Sequence, residues 1–357
     1  MKKVDLLLLL SVLFLTVFGL FMIYDISSFV AFRDFGDRYH YIKEQIAWAG
    51  LGLIGLTFFS FFDYRKLFLL AFPILITSIF FLILVFIPKI GVYTLGAHRW
   101  VNLRFFLLQP AEFVKFALAI YLSAWFSQKE KRRLPAFFLL MGFVLFLVLI
   151  EPDMGTAFII LFEGLVVYFL SGGNVTNLFL SLPVIGALGY LLIKIEPYRA
   201  KRLATFFNYN QSILRSSYHV RQILISLGSG GIFGVGLGNS LQKYAYLPEN
   251  TTDSIFAIIA EELGFIGATV IIIIFMVVIW RGFVIASRAR DKFGRILSGA
   301  IISFLGIQAI TNLAAQTVLF PLTGIPLPFI SYGGSSLVID LCSIGILLNI
   351  SRQGGHS

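Results

Sequence analysis

Apolar runs recur along the whole chain, and most are close to the length that a helix needs to cross a bilayer. A crossing takes about 20 predominantly apolar residues. We therefore predict about ten transmembrane helices, at 6–26, 45–62, 67–88, 111–127, 135–150, 154–170, 178–195, 254–281, 296–318 and 335–350. Only 13% of the residues are charged, against about 25% in soluble domains. The sequence thus predicts an all-α polytopic membrane protein, with residues 1–357 forming a single transmembrane domain.

The N-terminal run, MKKVDLLLLLSVLFLTVFGLF, begins with charged residues as a signal peptide does. Its apolar part is longer than the h-region of a signal peptide, and no small-residue cleavage site follows it. We expect this run to be the first span.

Lysine and arginine in short loops indicate the orientation, because they are enriched on the cytoplasmic side. Both termini, the turn at 128–133 and the basic cluster at 281–295 fall on that side if there are ten spans. The opposite side still receives twelve basic residues, against fourteen in the cytoplasm. Long loops can translocate whatever their charge, so these cations are either tolerated or serve an outer face that handles an anionic ligand. The net charge of +10 is explained by this topology, so we expect no nucleic acid as a partner.

The longest predicted loop, residues 196–253, is extracytoplasmic and connects the seventh and eighth spans. Loops of that length tend to be functional or disordered. Apolar side chains between 223 and 237 would be wasted in a solvated linker, so we expect part of the loop in or on the membrane. The glycine run at 228–239 lacks the G-x-G-x-x-G spacing and follows no predicted strand, which disfavours a dinucleotide fold.

Asp253 lies where this loop enters the eighth span. One interpretation is an N-cap, since Asp before an apolar helix can accept hydrogen bonds from the first backbone donors. The other is a general base at the water-facing mouth of a membrane cavity, where partial burial raises proton affinity. The two roles are only partly compatible, because a carboxylate engaged in capping is a poorer base.

Glu261 and Glu262 follow Asp253 by eight and nine residues. In a continuous helix this distance is roughly 12 to 14 Å, which would place both carboxylates deep in the bilayer. Intramembrane carboxylates are functional or paired, and we predict a structural pairing for these two. The candidate partners are Lys115, Arg202, Gln222 and Lys243.

Further polar residues recur at the predicted outer ends of spans. Glu112 and Lys115 open the fourth span three residues apart, on one helix face, and can form an ion pair. Glu151 and Asp153, in the turn EPDMGT, are predicted on the outer surface between the fifth and sixth spans.

The segment PLPFISYGGSS at 326–336 is another external entry to a helix. Its donors, Ser331, Gly333, Gly334 and Ser335, suit an anion or a simple turn. Carboxylates and cations thus converge on the outer face of a membrane domain. That pattern fits acid or base chemistry on an anionic, lipid-linked substrate, and it fits an ion-coupled transporter equally well.

Metal chemistry is not indicated by the residue spacing. The chain has one cysteine, Cys342, and four scattered histidines, and no spacing among them is typical of a zinc site. We predict no metal ligands.

Several long motifs, taken together, resemble the SEDS family of shape, elongation, division and sporulation proteins, which includes RodA, FtsW and SpoVE. They occur in the family's order over nearly the whole chain. They are RWVNL (99–103), LQPAEFVK (108–115), EPDMGT (151–156), PYRAKRLATFFN (197–208), the stretch 229–264 containing YLPENTTDSIF, and TGIPLPFISYGGSS (323–336).

The resemblance implies a peptidoglycan glycosyltransferase with ten transmembrane helices in the bacterial cytoplasmic membrane. Such an enzyme polymerises lipid II at the outer leaflet and works with a class B penicillin-binding protein and other divisome or elongasome membrane proteins. The motif P-E-x-x-T-D of the family places the catalytic residue at Asp253. The resemblance implies no particular cofactor and leaves open whether a divalent cation is bound.

The resemblance also implies a substrate-binding set that would hold the sugar and the leaving pyrophosphate. We predict for it Arg99, Lys115, Arg199, Arg202, Lys243, Glu249, Ser331, Gly333, Gly334 and Ser335. One displacement with inversion converts the α-linked donor into a β-1,4 product. A second carboxylate nucleophile, as in retaining glycosidases, is therefore not required.

One position departs from the commonest family form, P-E-x-H-T-D, because Thr251 stands where the histidine is usual. A proton shuttle by that histidine is therefore absent or replaced. The stretch GLGNSLQKYAYLPE is similar to the division and sporulation branch, somewhat nearer FtsW, whereas Tyr218 with His219 is similar to the elongation branch. The alternative function is a lipid II flippase or another ion-coupled transporter, which would depend on Lys115, Glu261 and Glu262 rather than on the outer carboxylate.

Overall fold

The computed structural model describes residues 4–94, 97–102, 106–128, 133–195, 218–244 and 246–354. Within these ranges the chain forms eleven helices and three strands. The helices are α1 (Leu6–Phe35), α2 (His40–Phe61), α3 (Arg65–Leu84), α4 (Pro110–Ser127), α5 (Leu134–Ile150), α6 (Met154–Leu170), α7 (Val175–Ile195), α8 (Tyr218–Gly230), α9 (Ile255–Ser287), α10 (Lys292–Gln316) and α11 (Gly334–Gln353). The strands are β1 (Gly91–Thr94), β2 (Ala97–Asn102) and β3 (Leu107–Leu108).

Six of the described helices, α1, α2, α3, α9, α10 and α11, are long and apolar enough to cross a membrane. Helices α5 and α6 are apolar but shorter, and α7 has an apolar stretch at Val175–Ala187. Helix α4 carries Glu112 and Lys115 in its first two turns. The multi-pass helical fold predicted from the apolar runs is confirmed, whereas the number of ten spans stays a prediction.

Between α3 and α4 lies a small antiparallel sheet that the all-α prediction did not include. Strand β1 pairs with β2, which in turn pairs with β3, so that β2 is the central strand. Val101 is paired with Gly91 on one side and Leu108 on the other, and it is fully buried. The strands have only four, six and two residues, so no strand pattern stands out in the sequence beside the long apolar helices.

Among the six candidate spans, the best buried are α10 and α11, whose apolar windows are 83% and 78% buried, and most residues of the shorter helix α4 are buried as well. The windows of α1, α2, α3 and α9 are only 22 to 39% buried. Large apolar side chains on these four helices, such as Leu69, are not covered by other parts of the protein. Since lipid tails solvate such side chains, the exposed faces are the lipid-facing surface, and α4, α10 and α11 form the centre of the bundle.

Ion pairs tie α1 and α9 together near both ends of their apolar stretch. Asp5 binds Arg281 at 2.6 Å, and Lys243 binds both Asp25, at 3.0 Å, and Glu262, at 3.4 Å. Asp5, at the N-cap of the unbroken helix α1, and Asp25 within it are twenty residues apart, which corresponds to about 30 Å of helix. This length matches the hydrocarbon thickness of about 30 Å. We call the Asp5–Arg281 pair the inner clasp and the group of Asp25, Lys243 and Glu262 the outer clasp. The two clasps lie at opposite ends of the apolar stretch.

Helix α9 is interrupted at Gly264, whose backbone (φ 68°, ψ −171°) is not helical. The peptide groups around the break bond to the glycine run instead. The Val235 amide donates to the Glu261 carbonyl at 3.0 Å, and the Phe265 amide donates to the Gly231 carbonyl at 2.9 Å. The glycine run therefore approaches the backbone of α9 closely and supplies hydrogen-bond partners for peptide groups that the break in the helix leaves unpaired.

Glu261 and Glu262 lie in the helical part of α9 that precedes this break, and both carboxylates have polar partners. The Glu261 carboxylate accepts hydrogen bonds from Ser240 Oγ, at 2.6 Å, and Ser229 Oγ, at 3.3 Å. Glu262 accepts from the Ser240 amide at 3.2 Å and pairs with Lys243. Their partners come from the end of α8 and from the segment that follows it, and this long-range pairing is not visible in the spacing of α9 alone.

Candidate active site

Asp253 lies in the turn that leads into α9, and its side chain is half-buried. Its Oδ1 accepts a hydrogen bond from Thr252 Oγ1 at 2.8 Å. On the other side, a Cβ placed on Gly324 would lie 3.8 Å from Asp253 Oδ2. The N-cap residue of α9 is Ser254, which makes no side-chain cap. The carboxylate of Asp253 thus points beside the helix end, toward the loop that contains Gly324.

The backbone carbonyl groups of Thr251, Thr252 and Asp253 each accept hydrogen bonds from other segments, and these bonds hold the turn in place. The Tyr332 amide donates to the Thr251 carbonyl at 2.9 Å, and Ser331 Oγ donates to the Thr252 carbonyl at 2.5 Å. Since neighbouring carbonyls point in different directions, partners on several sides fix the turn as a rigid unit. The segment 326–336 therefore positions the turn that bears Asp253.

Helix α10 supplies the third anchor through two amide side chains one turn apart. Asn312 Nδ2 and Gln316 Nε2 donate to the Asp253 carbonyl, at 2.9 and 2.8 Å. Asn312 also donates to the Ile325 carbonyl at 2.8 Å, which ties the Gly324 loop to the same helix. Sequence analysis did not identify these two residues. The signal that could have found them is a pair of buried amides at i and i+4 in an apolar helix.

The EPDMGT motif reaches the far side of the Gly324 loop. A Cβ on Gly155 would lie 2.7 Å from Ile325 Cγ1 and 2.9 Å from the Thr323 carbonyl, so α6 begins in direct contact with that loop. Asp153 is the N-cap of α6 and accepts from the Thr156 amide at 3.0 Å. The start of α6 and the Asp253 turn therefore flank one loop.

Glu151 and Asp153 are both buried, which corrects the prediction that they lie on the outer surface. Strand β2 places Arg99 against their turn, where its guanidinium donates to the carbonyls of Glu151, at 3.3 Å, and Pro152, at 2.5 Å. Burial raises the pKa of the Glu151 carboxyl to about 9, and the neighbouring Asp153 adds to this rise. Glu151 is therefore a neutral acid at pH 7, beside a turn that Arg99 holds in place.

Replacing Glu151 with Gln is expected to raise the thermal unfolding midpoint of the protein relative to wild type at pH 8 and to change it little at pH 4.5. The pKa of about 9 in the folded state exceeds the unfolded value of about 4.3, so wild type loses stability as pH rises between these values. The Gln side chain does not ionise and escapes that loss. Thermal unfolding scans in detergent across this pH range measure the difference.

Asp37→Asn is the control for this experiment, since the exposed Asp37 has its pKa lowered by the Lys43 hydrogen bond. It removes a carboxylate with the opposite pKa shift and is expected to give no gain at high pH. A midpoint difference for Glu151→Gln that does not change with pH would contradict the buried neutral acid.

Two of the predicted substrate-binding cations are instead engaged with carboxylates inside the protein. Lys115 is fully buried and contacts Glu112 at 2.8 Å and Gln308 Oε1 at 2.6 Å. Lys243 is 6% exposed and belongs to the outer clasp. Both charges are already compensated, so the structure gives them structural partners rather than a position open to a ligand.

The predicted anion donors of segment 326–336 are likewise used within the protein. The Gly333 amide donates to Gln45 Oε1 at 3.3 Å, and Gly334 packs so closely that a Cβ would lie 2.2 Å from Trp48 Cε2. Ser335 Oγ accepts from the Gln109 amide at 3.1 Å. These contacts favour the turn interpretation of the segment.

The remaining predicted residues have different outcomes. Glu249 is exposed, has φ of 49°, and accepts from Thr252 Oγ1 at 3.1 Å. Arg199 and Arg202 lie outside the described residues. Among the described residues, no three His, Cys, Asp or Glu side chains are placed to hold one metal ion.

Two buried carboxylates near Lys115, Glu163 and Asp340, were missed by sequence analysis. Both side chains are completely buried. They come from α6 and α11, so that four helices contribute polar groups to one interior cluster around Lys115. A carboxylate inside an apolar run is a visible signal, but its partners on other helices are not.

Replacing Lys243 with Met is expected to lower the thermal unfolding midpoint strongly, because Asp25 and Glu262 lose their shared cation in a buried position. An uncompensated buried charge costs about 3 to 5 kcal/mol. Thermal unfolding of the detergent-solubilised protein measures this loss. Lys43→Met is the matched control, since the Lys43 and Asp37 side chains are 66% and 41% exposed and their pair contributes little. Equal midpoints for the two variants would show that the outer clasp does not stabilise the fold.

Taken together, the bundle and the anchored carboxylate define a class of protein: a polytopic membrane protein with an acidic site at the end of the bundle opposite the Asp5–Arg281 pair. The chain belongs to the family of FtsW, RodA and SpoVE proteins. The family model, described as cell cycle protein, matches residues 5–356.

Individual relatives extend over the full length of the chain. It is 39% identical to the stage V sporulation protein E of Bacillus subtilis, covering 99% of this chain and 98% of that protein. It is 40% identical to a probable peptidoglycan glycosyltransferase FtsW of Trichlorobacter lovleyi, with 98% and 94% covered.

Solved structures show the same fold. The rod shape determining protein RodA of Thermus thermophilus is similar with a TM-score of 0.73, 25% identity and 99% of both chains covered. A chain from a peptidoglycan synthase complex that coordinates polymerization and crosslinking is similar with a TM-score of 0.81, 26% identity and 98% of both chains covered. The family resemblance inferred from the motifs is therefore confirmed.

Proposed function

We propose that the protein is an inverting peptidoglycan glycosyltransferase that polymerises lipid II into β-1,4 glycan strands. The relatives named peptidoglycan glycosyltransferase support this activity. The observation that carries it for this chain is the half-buried Asp253 carboxylate, whose turn is fixed by Ser331, Asn312 and Gln316. A base held by so many contacts is pre-organised, which is what catalysis by positioned proton transfer requires.

In the proposed reaction, Asp253 accepts the proton of the acceptor sugar's 4-hydroxyl as that oxygen attacks the anomeric carbon of the donor. The new carbon–oxygen bond forms as the bond to the polyprenyl pyrophosphate breaks, and the pyrophosphate leaves with the electron pair. One carboxylate suffices because a single displacement inverts the anomeric centre.

The developing charge on the pyrophosphate needs cationic partners at the outer face. Arg99 is the described candidate, because β2 holds it beside the start of α6. Arg199 and Arg202 are proposed with it from the family motif, and Glu249 is proposed as a contact to the sugar. Lys115 and Lys243 are not included, since both are committed to carboxylates.

The proposed location is the bacterial cytoplasmic membrane, including the division septum, with residues 196–253 as an extracytoplasmic loop of one transmembrane domain. A class B penicillin-binding protein is the proposed partner. The similar chain from a peptidoglycan synthase complex supports that partnership. A flippase that depends on Lys115, Glu261 and Glu262 is less well supported, because each of these side chains has fixed polar partners.

The test is incubation of the purified protein with lipid II, alone and with a class B penicillin-binding protein, followed by a gel for glycan chains. Polymer is expected in the sample that contains the partner. A vesicle assay for lipid II translocation under the same conditions is expected to be negative. Translocation without polymer would replace the proposed function by the flippase alternative.

A further inference from the structure

Helix α10 contains a third buried amide, Gln308, in addition to Asn312 and Gln316. The three residues follow one another at intervals of four, which places them on one face of the helix. Each of the three side chains is at most 1% exposed. The contacts of Gln308 connect the buried Lys115 with the segment 326–336.

Lys115 fixes the orientation of the Gln308 side chain. Its Nζ lies 2.6 Å from Gln308 Oε1, and because a lysine ammonium only donates hydrogen bonds, the amide atom that faces it has to be the oxygen. The Gln308 nitrogen therefore points the other way, where it donates to the Pro326 carbonyl at 3.1 Å. Both side chains are fully buried, so bulk water does not compete for either contact. Glu112 also contacts Lys115, at 2.8 Å, and compensates its charge independently of Gln308.

The Pro326 carbonyl belongs to a stretch whose position depends on contacts of this kind. Residues 321–327 have no regular secondary structure. The amides of α10 bind two successive carbonyls in this stretch, those of Ile325, at 2.8 Å from Asn312 Nδ2, and Pro326. Since the stretch has no hydrogen-bond ladder of its own, these side chains locate its backbone relative to α10.

A compact turn connects Pro326 with Asp253. The Leu327 amide donates to Ser331 Oγ at 2.8 Å, and the Ser331 amide donates to the Leu327 carbonyl at 3.0 Å. Ser331 Oγ also donates to the Thr252 carbonyl at 2.5 Å, and Thr252 Oγ1 donates to the Asp253 carboxylate at 2.8 Å. A shift of Pro326 would therefore move the turn that holds Asp253.

We propose that Gln308 is a positioning residue for the glycosyl transfer, which holds Pro326 and, through the 327–331 turn, the carboxylate of Asp253. This inference rests on the proposed function. Because Gln308 is fully buried, it acts on the reaction through these contacts and not by touching the substrate. Its loss is therefore expected to lower kcat and to leave the KM for lipid II nearly unchanged, since a displacement of about 1 Å can cost about 10²-fold in rate.

The test is Gln308→Met, which has a flexible side chain of similar length and removes both hydrogen bonds. With lipid II and a class B penicillin-binding protein, kcat is expected to fall about 10- to 100-fold, while KM changes less than about two-fold. Hydrogen exchange of peptides covering 249–256 and 325–333 is expected to accelerate about five-fold, the effect of one lost hydrogen bond. Gln308→Glu keeps an oxygen for Lys115 but has no N–H for Pro326. It is expected to give the same result and replaces Gln308→Met if that variant fails to fold.

Ser303→Ala is the matched control, because Ser303 is a buried polar residue of the same helix whose Oγ donates within α10, to the Gly299 carbonyl at 2.6 Å. It is expected to leave kcat and hydrogen exchange unchanged. Adding Gln308→Met to Ser331→Ala is expected to lower kcat little further, because both changes act through one turn. Losses that multiply in the double variant would contradict this connection.

The outcomes also separate this inference from the proposed function. A folded Gln308→Met protein with wild-type kcat and wild-type hydrogen exchange would overturn the inference alone. A wild-type protein that makes no polymer would overturn the proposed function, while the exchange data would still decide whether Gln308 holds the turn.

Discussion

Asp253→Asn is expected to reduce lipid II polymerisation by about 10²- to 10⁴-fold, the usual contribution of a positioned general base. Asparagine has nearly the same shape and can still accept the 2.8 Å hydrogen bond from Thr252 Oγ1. The anchors from Asn312 and Gln316 are to the backbone carbonyl and are unaffected. The variant therefore removes the proton acceptor and leaves its setting intact, and a gel of glycan chains from purified protein and lipid II measures the loss.

Asp37→Asn is the matched control for this result, because it neutralises a carboxylate of the same type at the predicted outer surface, away from the Asp253 turn. Its polymerisation rate is expected to equal that of wild type. Thermal unfolding midpoints of both variants should stay close to the wild-type value, which separates lost chemistry from lost structure. Wild-type polymerisation by a correctly folded Asp253→Asn protein would end the proposed mechanism.

Gly264→Val is expected to prevent accumulation of folded protein, or to lower its unfolding midpoint by more than any other substitution discussed above. Its backbone conformation is essentially restricted to glycine, and a residue forced into it costs about 1 to 3 kcal/mol. A Cβ would also lie 2.3 Å from the Gly234 amide nitrogen and 2.5 Å from the Ile232 carbonyl oxygen. Because these neighbours are backbone atoms, a side-chain rotation cannot relieve the clash.

Gly142→Ala in α5 is the control, since a Cβ there meets nothing within 4 Å. Alanine removes the helix penalty of glycine, so this variant is expected to be neutral or more stable by up to about 1 kcal/mol. Fluorescence-detected size exclusion and thermal unfolding compare the two proteins. A Gly264→Val protein as stable as Gly142→Ala would show that the glycine run does not pack into the break of α9.

The sequence predicted those features that depend on composition and local pattern. Apolar runs located most of the helices because the bilayer sets their length, and the long motif placed Asp253 at the entrance of α9. Asn312 and Gln316 were missed because their partner is the carbonyl of a residue 59 and 63 positions away. The two amides at i and i+4 are visible in the sequence of α10, but the carbonyl that both of them bind is not.

Burial and pairing were harder to predict than the helices. Glu151 follows an apolar run in a proline turn, which is typical of an exposed connection, and its burial beside Arg99 of the unpredicted strand β2 depends on the tertiary fold. The partners of Glu261 and Glu262 were predicted only in part, because Lys243 was among the candidates whereas Ser229 and Ser240 were not. Lys243 is 218 residues from Asp25, so their pair follows from the tertiary fold alone.

The two ionic clasps between α1 and α9 also determine how the protein can respond to membranes of different thickness. Two helices joined at one end can separate at the other end, but a pair joined at both ends keeps both its spacing and its register. Adjustment to a thinner bilayer is then left to inclination of the whole pair, since a spanning helix accommodates mismatch by tilting. The turn that bears Asp253 lies at the outer end of α9 and would tilt with that helix. The length of the lipid chains would therefore change the orientation of Asp253 toward its substrate.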